Sequence, residues 1–168
     1  YEEGLRILGF ALKLTMKAFG KYHLLTSTCF ANIGLAMIRK NNYDDAMNQC
    51  ETCLEIRKEL LGQTHPKYAE ALCVLGQIET KKGNHESAVN TLSEAMTVFE
   101  KVFGSSHPDV ANTSESIGIA FEGQMKHAQA LDYHANALAI RTSLLGKEHP
   151  ATISSFFAVA GVLERKRD

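Results

Sequence analysis

The residue pair with the clearest chemical potential is Cys50 and Cys53, which have a CxxC spacing. Two thiols at this spacing can bind zinc or form a reversible redox disulfide. Zinc usually takes four cysteine or histidine ligands, and the remaining cysteines, Cys29 and Cys73, form no second CxxC. Cys50 and Cys53 also lie on a stripe with helical spacing that is mostly apolar, where a free cysteine behaves as a small hydrophobic side chain. We therefore predict a structural role with no metal and no cofactor, and free thiols of this kind suit the reducing cytosol.

The seven histidines are the second group that could do chemistry. Histidine is a frequent metal ligand and general acid or base because its ring titrates near neutral pH. His23, His65, His107 and His149 are spaced 42 residues apart, and the last three precede a proline. That pattern is typical of repeated helix starts. His134 lies on an apolar helical stripe, where we expect a hydrogen-bonded core role, with a ligand or catalytic role as the alternative.

Motifs and composition exclude several classes of function. The phosphate-binding patterns GxGxxG and GxxxxGK[ST] and the zinc pattern HExxH are absent from the sequence, which predicts that the chain is not an enzyme. Eighteen Lys and Arg against nineteen Asp and Glu give a charge of -1, with no basic field for nucleic acid. The longest apolar run, Phe156 to Leu163, is far shorter than the roughly 18 residues that cross a bilayer.

A pattern with a period of 42 residues extends along the whole chain. The segments LLGQTHP, VFGSSHP and LLGKEHP begin at Leu60, Val102 and Leu144, and a related segment, AFGKYHL, begins at Ala18. Small residues recur at the same interval in two series, Gly34, Gly76, Gly118 and Ala160 in one, and Gly4, Ala46, Ala88 and Ala130 in the other. Helices cross closely where both carry a small residue. The spacing therefore predicts a row of helical hairpins.

Apolar residues between these anchors recur with helical periodicity, and glycines and prolines mark the ends and starts of the helices. We predict helices at about 1–19, 24–40, 43–61, 66–82, 85–103, 108–124, 127–145 and 150–166. Residues 1–168 then form a single array, and we expect it to belong to a longer one. Its parts are the second helix of a partial repeat (1–19), three full repeats (20–61, 62–103 and 104–145) and the first helix of a further repeat (146–168).

With small crossing residues at Gly34 and Ala46, and again at Gly76 and Ala88, the helix pairs resemble tetratricopeptide repeats. The 42-residue period, the Leu-Gly and His-Pro pairs, and the Glu-Ile-Arg or Ala-Ile-Arg segment resemble the repeats of kinesin light chain and of nephrocystin-like ciliary scaffolds. The resemblance covers the entire chain. It implies an all-α fold, a right-handed superhelix of antiparallel helical hairpins, and a cytoplasmic protein associated with the cytoskeleton or the cilium.

Stacked hairpins of this kind present their first helices along a concave face that binds partners. By analogy with tetratricopeptide grooves, the predicted partner-binding residues are Thr28, Asn32, Leu35, Ile38, Arg39, Glu70, Val74, Gln77, Lys81, Asn112, Glu115, Ile119 and Glu122. They mix apolar side chains with charges of both signs, which suits an extended or helical peptide. We expect an acidic peptide with a large hydrophobic residue. Binding through the convex face, where we expect Arg57 and Lys101, or through the ends of the array are the alternatives.

Two functions follow from this interpretation. The first is a protein-interaction module that serves as an adaptor or scaffold in transport or ciliary assembly. The alternative is a regulatory sensor module attached to an enzyme or signalling protein. Phe156, Phe157 and Leu163 place apolar side chains on more than one side of the last helix. We therefore also expect self-association through the ends of the array.

Overall fold

The computed structural model describes residues 2–166, and in that part of the chain it contains eight α-helices and no strand. The helices are α1 (Glu2–Phe19), α2 (Leu24–Ile38), α3 (Tyr43–Leu61), α4 (Pro66–Lys81), α5 (His85–Phe103), α6 (Pro108–Gly123), α7 (His127–Leu145) and α8 (Pro150–Arg165). Each agrees with its predicted helix to within two residues at either end. Position 1 of the first predicted helix lies outside the described residues.

The helices stack in chain order, since each one packs against its predecessor and its successor. Three hairpins result, α2 with α3, α4 with α5 and α6 with α7. The first helices of successive hairpins also contact one another, α2 with α4 and α4 with α6. These contacts place the first helices on the inner, concave side of an all-α superhelix, as predicted for the fold class.

The small residues lie where the two helices of a hairpin cross. A Cβ atom added to Gly76 would lie 2.5 Å from Cγ of Leu92, and one added to Gly118 would lie 2.8 Å from the ring of His134. Any larger residue at these two positions would push the helices apart. The 42-residue spacing of small residues therefore reflects hairpin packing.

The repeated histidines are helix caps. In each case Nδ1 accepts a hydrogen bond from the backbone N–H two residues later, at 3.0–3.2 Å, for His23, His65, His107 and His149. An N-cap acceptor of this kind satisfies one of the free N–H groups of the first helical turn. The helix before each of these caps is followed by a glycine with φ of 79° to 83°, a backbone angle that glycine adopts without strain, at Gly20, Gly62, Gly104 and Gly146.

No helix within residues 2–166 combines the length and apolarity that a bilayer crossing needs.

Candidate functional site

The predicted partner-binding residues lie on the first helices α2, α4 and α6, and most of them are accessible. Thr28, Asn32, Leu35, Arg39, Gln77, Lys81, Asn112 and Ile119 are exposed, and Ile38, Glu70, Glu115 and Glu122 are half-buried. Side chains from three successive hairpins thus reach the concave face.

Val74 differs from the rest of the predicted set because it is buried. It packs in a core cluster with Ala46, Cys50 and Ile78, between α3 and α4. The equivalent residues of α2 and α6, Asn32 and Ser116, line cavities, so the burial is particular to Val74, whose apolar side chain packs against α3. The prediction that Val74 contacts a partner is therefore wrong for this conformation.

A cavity of about 250 Å³, which we call the central cavity, joins the three first helices. Five of the predicted residues line it, Ile38 from α2, Gln77 and Lys81 from α4, and Glu115 and Ile119 from α6, together with Thr80 and Ser116. The outer helices supply the apolar side chains Ile38 and Ile119, and the middle helix supplies polar ones. The central cavity can therefore hold an apolar group between polar side chains.

Two other cavities contain further predicted residues. One, of about 200 Å³, lies beside the central cavity between α4 and α6 and includes Glu70, Gln77 and Asn112. The other, of about 370 Å³, brings Asn32, Leu35 and Arg39 against α1. The predicted set therefore forms a groove with several subsites, of which the central cavity gathers the most members.

The charges on this face are not equally available to a partner. Each carboxylate of the predicted set pairs with a cation, with Glu70 at 2.8 Å from Lys67, Glu115 at 2.6 Å from Arg141, and Glu122 paired with Arg165. Arg39 and Lys81, in contrast, form no ion pair with any residue of the described part of the chain. The charge that remains free on the face is therefore positive.

A buried arginine behind the groove was not found from the sequence. Arg141 of α7 donates to Ser155 of α8 at 2.7 Å and to Asn112 of α6 at 2.8 Å, and it pairs with Glu115. Three helices are thereby tied together directly beneath two predicted groove residues. The sequence did contain a signal for Arg141. Arg57 lies at the equivalent position of the repeat, two periods of 42 residues earlier.

Arg57 makes equivalent contacts, and its expected place on the convex face is wrong. Its side chain is buried, and it donates to Ser27 of α2 at 3.3 Å and to the carbonyl oxygen of Lys67 in α4. An arginine at this position of the second helix points between successive first helices, toward the groove. Lys101, the other residue of that prediction, is exposed.

His134, the remaining candidate for acid–base chemistry, lies inside the third hairpin. It is buried against Gly118, and its Nε2 atom is 2.8 Å from Oε1 of Glu122. The ring therefore has the hydrogen-bonded core position that its sequence context predicts.

The CxxC thiols are also part of the core. Cys50 and Cys53 are buried, and Sγ of Cys50 donates to the carbonyl oxygen of Ala71 at 3.3 Å. Burial raises the pKa of both thiols, and it raises the pKa of Cys73 to about 11. Zinc binding and nucleophilic attack both need the thiolate, which this environment disfavours. Within residues 2–166 no three His, Cys, Asp or Glu side chains are grouped so that they could hold a metal ion.

Raising the pH above 8.5 is expected to destabilise the fold through Cys50. In the unfolded chain this thiol ionises with a pKa of about 8.5, whereas burial raises its pKa in the folded state. The folded state thus keeps a proton that the unfolded state releases, so stability is complete below that pH and falls above it. At pH 10 the loss is about 2 kcal/mol, because each pH unit beyond the unfolded pKa costs about 1.4 kcal/mol.

Urea unfolding of the wild type and of Cys50→Ala at pH 7 and pH 10 measures this effect. The alanine variant should lose less stability between the two pH values, by about 2 kcal/mol. Lysines and the other thiols titrate alike in both proteins and cancel in the difference. Equal pH dependence in the two proteins would show that Cys50 ionises freely.

Comparisons with known proteins agree with this architecture. The tetratricopeptide repeat family matches residues 38–101 and 75–135, which together extend over more than half of the chain. No curated protein sequence matched.

Two solved structures are similar to this chain. BtubC (BKLC) from P. vanneervenii has a TM-score of 0.77 to it, with 24% sequence identity over 86% of this chain. The nearly identical TPR-like repeats of a putative kinesin light chain from Podosopora anserina have a TM-score of 0.81, with 18% identity over 98% of this chain and 78% of that one. MamA gives 0.57, at 16% identity over 94% of this chain and 85% of that one. The chain spans 57% of the length of BtubC.

At these identities the solved structures show the fold alone, and they include repeats of the kinesin light chain type that the 42-residue period predicts. The family match rests on the sequence from the end of α2, through α3, α4, α5 and α6, to the first half of α7. Tetratricopeptide repeats are non-catalytic helical scaffolds for protein–protein interaction. The chain belongs to the tetratricopeptide repeat family.

Proposed function

We propose that the chain binds an acidic peptide segment of a partner protein on its concave face, with one large apolar side chain of the peptide in the central cavity. The observation that carries this proposal is the central cavity itself, which Ile38, Gln77, Lys81, Glu115 and Ile119 line together. These residues come from three hairpins, so an extended or helical segment that lies across the first helices can contact them all.

The apolar contact supplies most of the affinity. Full burial of a side chain such as Leu or Phe is worth about 1.5–3 kcal/mol, whereas an exposed ion pair is worth about 0.2–1 kcal/mol. Arg39 and Lys81 are exposed, so their attraction to a carboxylate is partly screened. Arg39 and Lys81 therefore make binding selective for acidic over basic peptides and orient the bound peptide, while its apolar side chain in the central cavity supplies most of the affinity.

In the cell this activity is that of an adaptor or scaffold, in which one protein is recruited through a short segment. Two features support the transport or ciliary setting. The first is the 42-residue period with its Leu-Gly and His-Pro pairs, and the second is the similarity of the fold to the TPR-like repeats of a putative kinesin light chain. The thiols of Cys50 and Cys53 are buried in the core, and His134 is hydrogen-bonded to Glu122. A groove that presents none of these side chains to a ligand fits the recruitment of a partner protein.

A panel of three fluorescent peptides of about twelve residues tests the proposal by fluorescence polarisation. The reference peptide carries four Glu and one Phe, the second replaces Phe by Ala, and the third replaces every Glu by Lys. The reference should bind most tightly, and loss of the Phe ring should weaken binding at least tenfold, or about 1.4 kcal/mol. Added salt should weaken the reference peptide only modestly. Equal or tighter binding of the lysine peptide would refute the acidic specificity.

A further inference from the structure

A buried arginine lies at the junction between successive hairpins at two places in the chain. Arg57 of α3 lies where α3 packs on α4, and Arg141 of α7 lies where α7 packs on α8. At the α5–α6 junction between them, the equivalent residue, one 42-residue period from each, is Phe99. Its ring is only 2% exposed and has no hydrogen-bond donor. This junction therefore has a phenyl ring where the other two have a guanidinium group.

The contacts of Arg57 show which residues surround a guanidinium group at such a junction. Arg57 donates to the carbonyl oxygen of Lys67 and lies 3.6 Å from the carboxylate of Glu70, both on the following first helix α4. One period later, on α6, the same two positions hold Asp109 and Asn112. The α5–α6 junction thus has a carboxylate and an amide oxygen at these positions.

The contacts of Arg141 show the other residues around such a group. Arg141 donates to Asn112 and pairs with Glu115 on the first helix of its own hairpin, and it donates to Ser155 on the following first helix. One period earlier, these three positions hold Glu70, Cys73 and Thr113. The α5–α6 junction therefore also has a second carboxylate, a thiol and a hydroxyl group.

These equivalent residues line the cavity of about 200 Å³ beside the central cavity, which we call the α4–α6 cavity. A water molecule occupies about 30 Å³ in the liquid, so this volume is large enough for a planar guanidinium group. Phe99 forms part of the wall. All five equivalent positions line the α4–α6 cavity, namely Glu70, Cys73, Asp109, Asn112 and Thr113. The cavity therefore coincides with the place that an arginine of the chain occupies at the two other junctions.

We propose that the α4–α6 cavity binds the guanidinium group of an arginine side chain from a partner protein. This arginine takes the place at the α5–α6 junction that Arg57 and Arg141 take at their own junctions. The same repeat thus holds the same chemical group at three junctions, twice from within the chain and once from outside it. The α4–α6 cavity and the central cavity bind different side chains, so either site can exist without the other.

Charge and hydrogen bonding in the cavity favour a guanidinium group. Asp109 pairs with no Lys or Arg in the described part of the chain, and the ring of His107 lies 3.5 Å from its carboxylate. Glu70 is paired with Lys67 at 2.8 Å, but a carboxylate can accept several hydrogen bonds. A guanidinium group has five N–H donors in a fixed plane and can bond to several of these oxygens at once, whereas a lysine ammonium group is a compact point charge. The cavity should therefore prefer arginine to lysine.

The position of the α4–α6 cavity connects it to the groove. It shares Gln77 and Ser116 with the central cavity, and Glu70 lies seven residues before Gln77, about 10 Å along α4. An extended peptide advances about 3.3 Å per residue. A peptide with an apolar side chain in the central cavity can therefore place an arginine, about three residues away, in the α4–α6 cavity.

A nuclear magnetic resonance titration with a capped arginine, N-acetyl-arginine methylamide, tests the site without any peptide. The backbone amide signals of Asn112 and Thr113 should shift and saturate, with a dissociation constant on the order of millimolar. Capped citrulline has nearly the same shape without the charge and should shift neither signal, and capped lysine should bind about threefold more weakly than capped arginine. No shift with arginine, an equal shift with citrulline, or equally tight binding of lysine would each overturn the proposal.

Two variants and a matched control locate the bound group in the same titration. Phe99→Arg places a guanidinium group of the chain in the cavity and should abolish the shifts from capped arginine, with circular dichroism showing that the helices persist. Asp109→Asn changes no core residue, so it decides the question if Phe99→Arg does not fold, and it should weaken capped arginine about fivefold. Glu86→Gln removes a carboxylate from the first turn of α5, outside the cavity, and should leave the affinity unchanged. Wild-type affinity in Asp109→Asn would show that the proposal is wrong.

A peptide experiment asks whether the site serves the groove, and this experiment alone rests on the proposed function. Two versions of the acidic Phe peptide carry an arginine three residues before or three residues after the Phe, and each has a citrulline counterpart. One arginine version should bind the wild type about tenfold more tightly than its counterpart, and Asp109→Asn should remove this gain. If none of the peptides binds, the concave-face proposal fails, while the titration with capped arginine still decides the site. If both arginine versions bind no more tightly than their citrulline counterparts, the α4–α6 cavity is not the arginine site of a bound partner.

Discussion

Replacing Arg39 and Lys81 together by Glu is expected to weaken binding of the acidic Phe peptide on the order of a hundredfold, or about 2.7 kcal/mol. Each reversal removes an attraction and adds a repulsion against a carboxylate of the peptide. Arg39 and Lys81 are exposed and have no ion-pair partner in the described part of the chain, so the fold loses no contact of that kind. Fluorescence polarisation gives the affinity, and circular dichroism shows that the helices persist.

The matched control reverses two exposed lysines away from the groove, Lys58 at the end of α3 and Lys101 at the end of α5. It changes the net charge of the chain by the same amount as the groove pair. Arg57 is unsuitable for this purpose because its side chain is buried and hydrogen-bonded. If Lys58→Glu with Lys101→Glu weakens the peptide as much as the groove pair does, net charge and not the groove governs binding.

Arg141→Ala is expected to lower the free energy of unfolding by about 3 kcal/mol. The substitution removes three hydrogen bonds that join α6, α7 and α8, and it leaves the Glu115 carboxylate without its basic partner. Loss of one member of a buried pair costs about 3–5 kcal/mol, and the low end applies because Glu115 is only half-buried and can regain water. Urea unfolding followed by circular dichroism measures the change.

Two further substitutions separate the contribution of the Arg141 hydrogen bonds from that of its positive charge. Arg39→Ala removes an exposed arginine and should change stability by less than about 0.5 kcal/mol. Arg141→Lys keeps the charge but not the forked donor geometry, and it should recover only part of the loss. A loss below 1 kcal/mol for Arg141→Ala would mean that the three hydrogen bonds contribute little.

Much of the fold could be predicted because its local signals are strong and repeated. Three prolines follow cap histidines, and a small residue marks each helix crossing. Short sequence segments therefore predict where helices start and end and which helices form hairpins. The structure shows the physical cause at each place, such as the 3.0 Å bond from the Lys67 N–H to His65 and the close approach of Leu92 to Gly76.

The groove was harder to predict because side-chain partners decide which residues are available. Position along the helix is enough to place Gln77 and Ile119 on the concave face, yet it also placed Val74 there, which the neighbouring helix α3 buries. Sequence spacing likewise cannot show that Glu115 is neutralised by an arginine 26 residues later. Arg57 and Arg141 look like surface charges in the sequence, and only packing reveals that they join successive repeats.

The most direct test of the concave-face proposal is photo-crosslinking of the acidic Phe peptide from two positions of equal exposure. A photoreactive side chain replaces Ile119, 48% exposed in the central cavity, in one variant, and Val102, 47% exposed at the end of α5, in the other. Position 119 should give a saturable cross-link that excess unlabelled peptide abolishes, and position 102 should give none. Equal cross-linking from both positions, or cross-linking from position 102 alone, would contradict binding in the central cavity.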